Sequence, residues 1–319
     1  MSDLPKSIAI AEEGPREGFQ IEAGPIASAD KIRLIDALSD TGVKSMQVCS
    51  FVSPRLVPGW ADAADVVGGF KAKPEVNYTA LWFNHKGLER ALPFKDKLAL
   101  SGCIHVAASE KFTQSNLNRS HEENLQAMRE HTRDHIDSGL AVTKISVMAA
   151  FGCNFAGDIT PADAEAAVAD ALQVASEFDA TITEVALCDT MGWANPALIS
   201  RVVGGFRERW PDLGLRLHLH DTRGLGIANA HAALMLGVDR FDTTVGGLGG
   251  CPFAKHKGAP GNIATEELVL LAEESGVATG IDLDALIEAG HLAESIVGHA
   301  LPSAVLRGGS LDSFRRRAG

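Results

Sequence analysis

The chain has 319 residues, 45% of them hydrophobic and 22% charged, with a formal net charge of −12. That size and balance fit a soluble α/β enzyme with a large buried core, and the acidic excess argues against non-specific nucleic-acid binding while leaving room for local basic patches that meet an anionic substrate. No apolar run approaches the ~20 residues needed to span a bilayer, and the first residues lack the basic segment and long apolar core of a secretory signal. The five cysteines, Cys49, Cys103, Cys153, Cys188 and Cys251, are odd in number and never in CxxC spacing. They argue against a disulfide framework or structural zinc site and for a reducing, cytoplasmic location.

Short β-type runs alternate with helical patterns from end to end. The first run, Ser7–Ala11, leads into the polar loop Glu12-Glu13-Gly14-Pro15-Arg16-Glu17-Gly18-Phe19-Gln20. A helix is expected over Ala29–Ser39, with Ser28 or Asp30 as N-cap and Gly42 beyond its end. Strand two, Ser45–Ser50, precedes a Pro-rich loop and a helix over Trp60–Phe70. Strand three falls near Val76–Leu81, a helix near Lys86–Leu92, and strand four over about Lys97–Ala107. After the polar stretch Ser109–Arg119 comes a charged helix, Glu122–Asp137, which reads as a solvated face. Strand five is Thr143–Met148, followed by loop Ala149–Asp158 and an alanine-rich helix, Ala164–Phe178, capped near Thr160-Pro161. Strand six, Ile182–Leu187, ends at Cys188-Asp189-Thr190. Helix Pro196–Glu208, strand seven Leu215–His220, helix Ile227–Leu236 and strand eight Arg240–Val245 follow. A glycine-rich loop, Gly246–Gly261, precedes helix Thr265–Glu274 and tail helices near Leu283–Gly290 and Leu292–Val297.

Eight strand–helix units without a linker predict a single (β/α)8 TIM barrel, about residues 7–275, with a C-terminal helical extension over about 276–307. The rival is a doubly wound open sheet, weakened by the lack of a glycine-rich dinucleotide fingerprint after strand one.

In such a barrel, chemistry collects at the strand C-termini and the loops behind them. Those places hold Arg16, Glu17 and Gln20 after strand one, Gln47 and Ser50 on strand two, and Asp189 after strand six. Strand seven adds His218, His220 and Asp221, and the last loop adds Cys251 and Asn262. His218 and His220 share one face of a strand, about 7 Å apart, within reach of one ion. A carboxylate, two imidazoles and an amide oxygen suit Mg²⁺, Mn²⁺ or Zn²⁺, with the oxygen share leaning toward the harder ions. Each residue also has a plainer reading. Arg16–Glu17 is then a surface ion pair, Asp189 a helix cap, and Cys251 a small core residue. Four glycines just before Cys251-Pro252 make a poor core site, however, and a good one for an acid/base or nucleophile.

The stretches Gly247-Leu248-Gly249-Gly250-Cys251-Pro252-Phe253 and Gly261-Asn262-Ile263-Ala264-Thr265-Glu266, with Ser50-Phe51-Val52-Ser53-Pro54, Asp189-Thr190-Met191-Gly192 and His218-Leu219-His220-Asp221-Thr222, carry a family resemblance. From about Ile8 to Leu306 the chain resembles the 3-hydroxy-3-methylglutaryl-CoA lyases, within the metal-dependent TIM-barrel lyases and condensing enzymes. The resemblance implies Glu17, His218, His220 and Asn262 as metal ligands, with Mg²⁺ or Mn²⁺ favoured and Zn²⁺ open. It implies Arg16 as the group that stabilises a developing enolate, Cys251 as the acid/base on a lid loop, and Asp189, Glu266 and the Gln47 position as part of the site. It further implies an acyl-CoA substrate cleaved between C2 and C3 to acetyl-CoA and an oxo acid, a place in leucine degradation, and no nucleic-acid or membrane partner. A homo-oligomer, dimer or tetramer, is the expected assembly.

The chain departs from the family at four places. It has Glu17 for the ligand aspartate, Gln47 for a glutamate, Ala186 for a serine, and Ser146 near the place of a tyrosine. Losing the carboxylate at Gln47 is expected to leave Arg16 less neutralised, and so to favour an altered acyl part such as a citramalyl-type or longer-branched thioester. A Claisen-type condensing enzyme and a non-catalytic barrel are the alternatives. Free CoA released from 2-oxo acids would mark the first, and failure to bind a metal ion the second.

Overall fold

The computed structural model describes residues 4–22, 24–250 and 260–318. Eight strands form one sheet: β1 (Ala9–Glu12), β2 (Ser45–Ser50), β3 (Asn77–Leu81), β4 (Gly102–Ala107), β5 (Val142–Met148), β6 (Glu184–Cys188), β7 (Gly214–His218) and β8 (Arg240–Thr243). Their order is β3-β2-β1-β8-β7-β6-β5-β4, and every ladder is parallel. The first and last strands therefore pair, and the sheet curls into a (β/α)8 barrel with the helices outside. No ladder joins β3 to β4, but the Ala99 amide donates to the Tyr78 carbonyl across that seam at 2.7 Å.

Alternation along the strands sorts the side chains. On β6, Val185 and Leu187 are buried against the helices, while Glu184 and Cys188 face the lumen. The lumen floor is ionic. Glu184 accepts from Arg216 at 2.9 and 3.2 Å and from Arg240 at 2.8 Å, and Arg216 reaches Asp242 at 3.0 Å. TIM barrels usually fill their interior with layers of branched apolar residues. Here Gln47, Thr79, His105, Ser146, Ala186 and His218 stand above the floor only half-buried, so the lumen opens toward the strand C-termini.

Several boundaries differ from the sequence expectation. The polar stretch Ser109–Arg119 contains a helix, Glu110–Leu117, because the Ser109 hydroxyl caps the Phe112 amide and Asn118 closes it with φ 51°. Lys97 belongs to no strand: its ammonium donates to the carbonyls of Val67, Gly68 and Phe70, the end of another helix. The segment 60–70 splits into a 3-10 turn, Pro58–Trp60, and a helix, Ala63–Gly69. The helix expected near Lys86–Leu92 starts at His85, capped by the Asn84 side chain. β7 ends at His218, and β8 stops at Thr243. The two expected tail helices are one, Leu283–Val297, and helices Val305–Gly308 and Leu311–Ala318 follow. Gly290 lies inside that tail helix, where a Cβ would meet Leu306 at 2.4 Å and Glu266 at 2.8 Å. The glycine there serves close packing and ends nothing.

Candidate active site

Just past the end of β1 the backbone winds into a five-residue π-type turn, Gly14–Gly18, in which the Glu17 amide donates to the Glu13 carbonyl at 2.8 Å. The turn is compressed against its neighbours. A Cβ at Gly14 would meet Glu12 Oε1 at 2.5 Å and Val245 Cγ1 at 2.9 Å, so no larger residue fits. The Trp60 indole donates to the Arg16 carbonyl at 2.9 Å. Arg16 and Glu17 are thereby fixed at the mouth of the lumen, and both are largely buried.

Across the mouth, His218 ends β7 and His220 follows two residues later, their ring centroids 5.2 Å apart. His220 is outside the ladder and pairs instead with Asn262 in an antiparallel bridge. Its Nδ1 lies 3.0 Å from the Thr190 carbonyl, which leaves Nε2 facing Glu17 Oε1 at 3.7 Å. His218 Nε2 lies 3.9 Å from Glu17 Oε2, and its Nδ1 lies 3.4 Å from Asp242 Oδ2. A carboxylate on the far nitrogen of a ligand histidine fixes its tautomer and ring orientation. The Asn262 amide donates to Glu17 Oε1 at 2.9 Å and to the Leu248 carbonyl at 3.1 Å.

These residues fit a cation. The donor atoms of Glu17, His218 and His220 lie within 4.8 Å of one another. His220 Nε2 and Asn262 Oδ1 are buried with no hydrogen-bond partner among the described residues, an arrangement that costs free energy unless something is bound there. Burial disfavours an imidazolium at His218, but Asp242, Glu17 and Glu13 outweigh it and push the ring up to about 9. Burial would likewise raise Glu17, yet Arg16 and the two imidazoles hold its carboxyl well below the ordinary range. The pocket is thus acidic enough to demand positive charge, with N and O donors suited to a divalent ion.

The HMGL-like family pattern matches residues 7–293. The chain belongs to the HMGL-like family. It is 38% identical to the hydroxymethylglutaryl-CoA lyase of Bacillus subtilis over 94% of this chain and 96% of that protein. It is equally 38% identical to the 3-hydroxy-3-isohexenylglutaryl-CoA/hydroxymethylglutaryl-CoA lyase of Pseudomonas aeruginosa, over 93% of this chain and 95% of that one. The solved structure of an HMG-CoA lyase from Acinetobacter baumannii, in complex with coenzyme A and 3-methylmalate, superposes with a TM-score of 0.84 at 34% identity, covering 96% of each chain. The protein is an HMG-CoA lyase-like enzyme, and the barrel read from the sequence is the barrel of those lyases.

The other residues singled out in this HMGL-like chain fall around the ligand group in different ways. Asp189 is buried one residue beyond Cys188, the ladder partner of His218, and its amide donates to the His218 carbonyl at 2.8 Å. Its Oδ1 holds the turn at Trp193 and Ala194, at 2.7 and 3.0 Å, and its Oδ2 has no partner. Burial keeps its carboxyl above the ordinary range. Gln47 faces the lumen with its Oε1 buried and unpartnered, and Gln20 Oε1 is the same. Glu266 does not join the group: both its oxygens accept the Gly246 amide, at 2.9 and 3.0 Å, beneath the start of the glycine-rich loop. Cys251 lies outside the described residues. The loop's stems are described. Glu12 accepts the Val245 amide at 2.8 Å, and Asp221 N donates to the Gly261 carbonyl at 2.7 Å.

Sequence reading missed Glu13 and Asp242. Glu13 pairs closely with Arg16, so that cation is not short of a counter-charge as the Gln47 departure suggested. Asp242 backs His218. The available signal was parity: Asp242 is a lone acid between apolar and hydroxyl residues on a barrel strand, and Glu13 alternates with Ala11 and Ala9 toward the lumen.

Proposed function

We propose that this protein is a divalent-metal-dependent carbon–carbon lyase that cleaves 3-hydroxy-3-methylglutaryl-CoA, or a 3-hydroxyacyl-CoA with a bulkier branch, to acetyl-CoA and an oxo acid. The observation that carries the reading is the buried His220 Nε2, 3.7 Å from Glu17 Oε1, and the buried Asn262 Oδ1, both without a partner among the described residues, on side chains that converge on Glu17, with the Arg16 guanidinium on that same carboxylate. Glu17, His218, His220 and Asn262 would hold the ion, with Mg²⁺ or Mn²⁺ preferred for the oxygen share of the set. When bound, a divalent ion supplies Lewis-acid acidification of the C3 hydroxyl and neutralises charge on the developing oxyanion.

The remaining work falls to the chain. The C3 hydroxyl loses its proton, the C2–C3 bond breaks, C3 becomes the new carbonyl, and the electron pair passes into the thioester enolate. The Arg16 guanidinium, whose buried Nε has no partner among the described residues, is the donor available to that enolate oxygen. Asp189 Oδ2 is a carboxylate oxygen free to take the hydroxyl proton. Cys251 returns a proton to the enolate carbon, which completes acetyl-CoA. Glu266 holds the root of the loop that carries Cys251 and acts through it. The coenzyme A complex of the related lyase supports an acyl-CoA substrate.

The test is cleavage of 3-hydroxy-3-methylglutaryl-CoA by purified protein, with chelator and then with Mg²⁺ or Mn²⁺ restored. Activity should vanish and return. Full activity in the chelated sample rejects the metal-dependent reading.

A further inference from the structure

Arg16 has two acidic partners among the described residues, Glu13 and Glu17. They are not equivalent. The oxygens of Glu17 also face His218 and His220 and accept the Asn262 amide, so an ion held there competes with Arg16 for their charge. Glu13 is 8% exposed and binds the same Nη2 through its own carboxylate, which also lies within 4.8 Å of the nearest His218 and Asp242 donor atoms. The β1–β2 ladder ends with Glu12 opposite Met46, and Glu13 and Gln47 are the next residues along the two chains. Gln47 is neutral, and its buried Oε1 binds nothing. The Arg16 backbone is fixed separately by Trp60, which leaves the guanidinium as the part still to be held. With Nη2 engaged by carboxylates, the other guanidinium nitrogens, the buried Nε among them, remain as donors.

We propose that Glu13 is the positioning residue of Arg16 in this chain: it holds the guanidinium, with Nε left for the substrate oxyanion, while Glu17 is committed to the metal. The proposal rests on the lyase reading above. It also predicts that a carboxylate at position 47 can do the same work.

The experiment compares wild type, Glu13→Gln, Gln47→Glu and the double variant by steady-state kinetics on 3-hydroxyacyl-CoA thioesters, Mg²⁺ or Mn²⁺ calorimetry and thermal melting. Glu13→Gln should lower kcat by ~10²-fold, the scale of a 1 Å misplacement of a catalytic group. KM and metal affinity should move by no more than about threefold, because only a group acting in the transition state is disturbed. Adding Gln47→Glu should recover roughly tenfold or more of the lost kcat, a rescue that a purely structural salt bridge would not give. Wild-type kcat in Glu13→Gln, or no recovery in the double variant, overturns the proposal. Metal affinity falling in step with kcat also overturns it, by making Glu13 a ligand. If Glu13→Gln fails to fold but the double variant folds and turns over, the proposal stands; if neither folds, it is wrong. A wild type without turnover on any thioester removes the lyase reading, and this proposal with it.

Discussion

His220 shows how much one side chain's surroundings say about its use. Its Nδ1 is occupied by the Thr190 carbonyl and its Nε2 is buried and idle, so the ring is fixed in the orientation a ligand needs. His220→Ala should weaken divalent-metal binding by ~10-fold or more, since loss of an outer partner alone already costs that much. Calorimetry checks this, and unchanged affinity would remove His220 from the ligand set. A second residue-scale prediction concerns the thiols. Burial pushes the thiols of Cys49 and Cys188 up, and that of Cys103 up to about 12, so few of them are thiolate near neutral pH. Cys153 is fully buried. Cys251 should therefore be alkylated first. Cys251→Ala should lower turnover by ~10²–10⁴, the usual contribution of a placed acid or base. Peptide mapping after brief alkylation and steady-state kinetics decide the point; near-normal turnover would leave Cys251 without a chemical role.

At the scale of elements, the root of the glycine-rich loop hangs on two buried carboxyls from different parts of the chain. Glu12, at the end of β1, accepts from Gly14, Val245 and the Thr265 hydroxyl. Glu266, in the helix Thr265–Glu274, accepts the Gly246 amide. Burial outweighs these hydrogen bonds and lifts Glu12 to about 7 and Glu266 to about 8, from an ordinary 4.5. The sign follows from proton counts. Below pH 4.5 both states carry the proton, and the full contribution to stability is present. Between 4.5 and about 8 the folded chain keeps a proton that the unfolded chain has released, so stability falls as pH rises. Per carboxyl the slope is at most about 1.4 kcal/mol per pH unit, or roughly 2–4 °C of Tm for a domain of a few hundred residues. Thermal melts from pH 5 to 8 should show this decline, and Glu266→Gln should make it shallower. A variant with the wild-type slope would mean that Glu266 is already ionised at neutral pH.

At the scale of the whole molecule, on the proposed lyase reading, the lumen is the place where the acyl part is selected. Its floor is ionic, and its walls carry the small side chains Ser146 and Ala186 on one rung of the β5–β6 ladder, where the sequence resemblance implied a serine at 186 and a tyrosine near 146. The small size of these two side chains, rather than an unpaired Arg16, is the reason to expect a bulkier branch at C3. The related lyase of Pseudomonas aeruginosa, named for an isohexenyl and a methyl substrate, shows that one scaffold of this kind can serve both. Across a panel of 3-hydroxyacyl-CoA thioesters, kcat/KM for a longer-branched member should equal or exceed that for 3-hydroxy-3-methylglutaryl-CoA. A preference for the ordinary substrate by about tenfold or more, roughly 1.4 kcal/mol of transition-state stabilisation, would mean that neighbouring side chains fill the space.

The alternation of strand and helix patterns, each a local property of the chain, determined the eightfold barrel, and every strand lies within two residues or so of its expected place except the start of β4. Strand-end position also brought Arg16, Glu17, His218, His220 and Asn262 into one candidate set, because parallel barrels expose their loops at one end. What the sequence could not decide was pairing. Arg16 takes counter-charge from Glu13, just past the last β1–β2 rung, a choice of partner that no pattern along one strand reveals. His220 leaves the ladder to bridge Asn262, 42 positions away by their numbering, and Glu266 supports Gly246 from a helix beyond the loop. Hydrogen bonds and ion pairs of this kind act over a few ångströms in space, whatever the distance along the chain, so tertiary structure alone sorts the group around Glu17 from the residues that hold it in place.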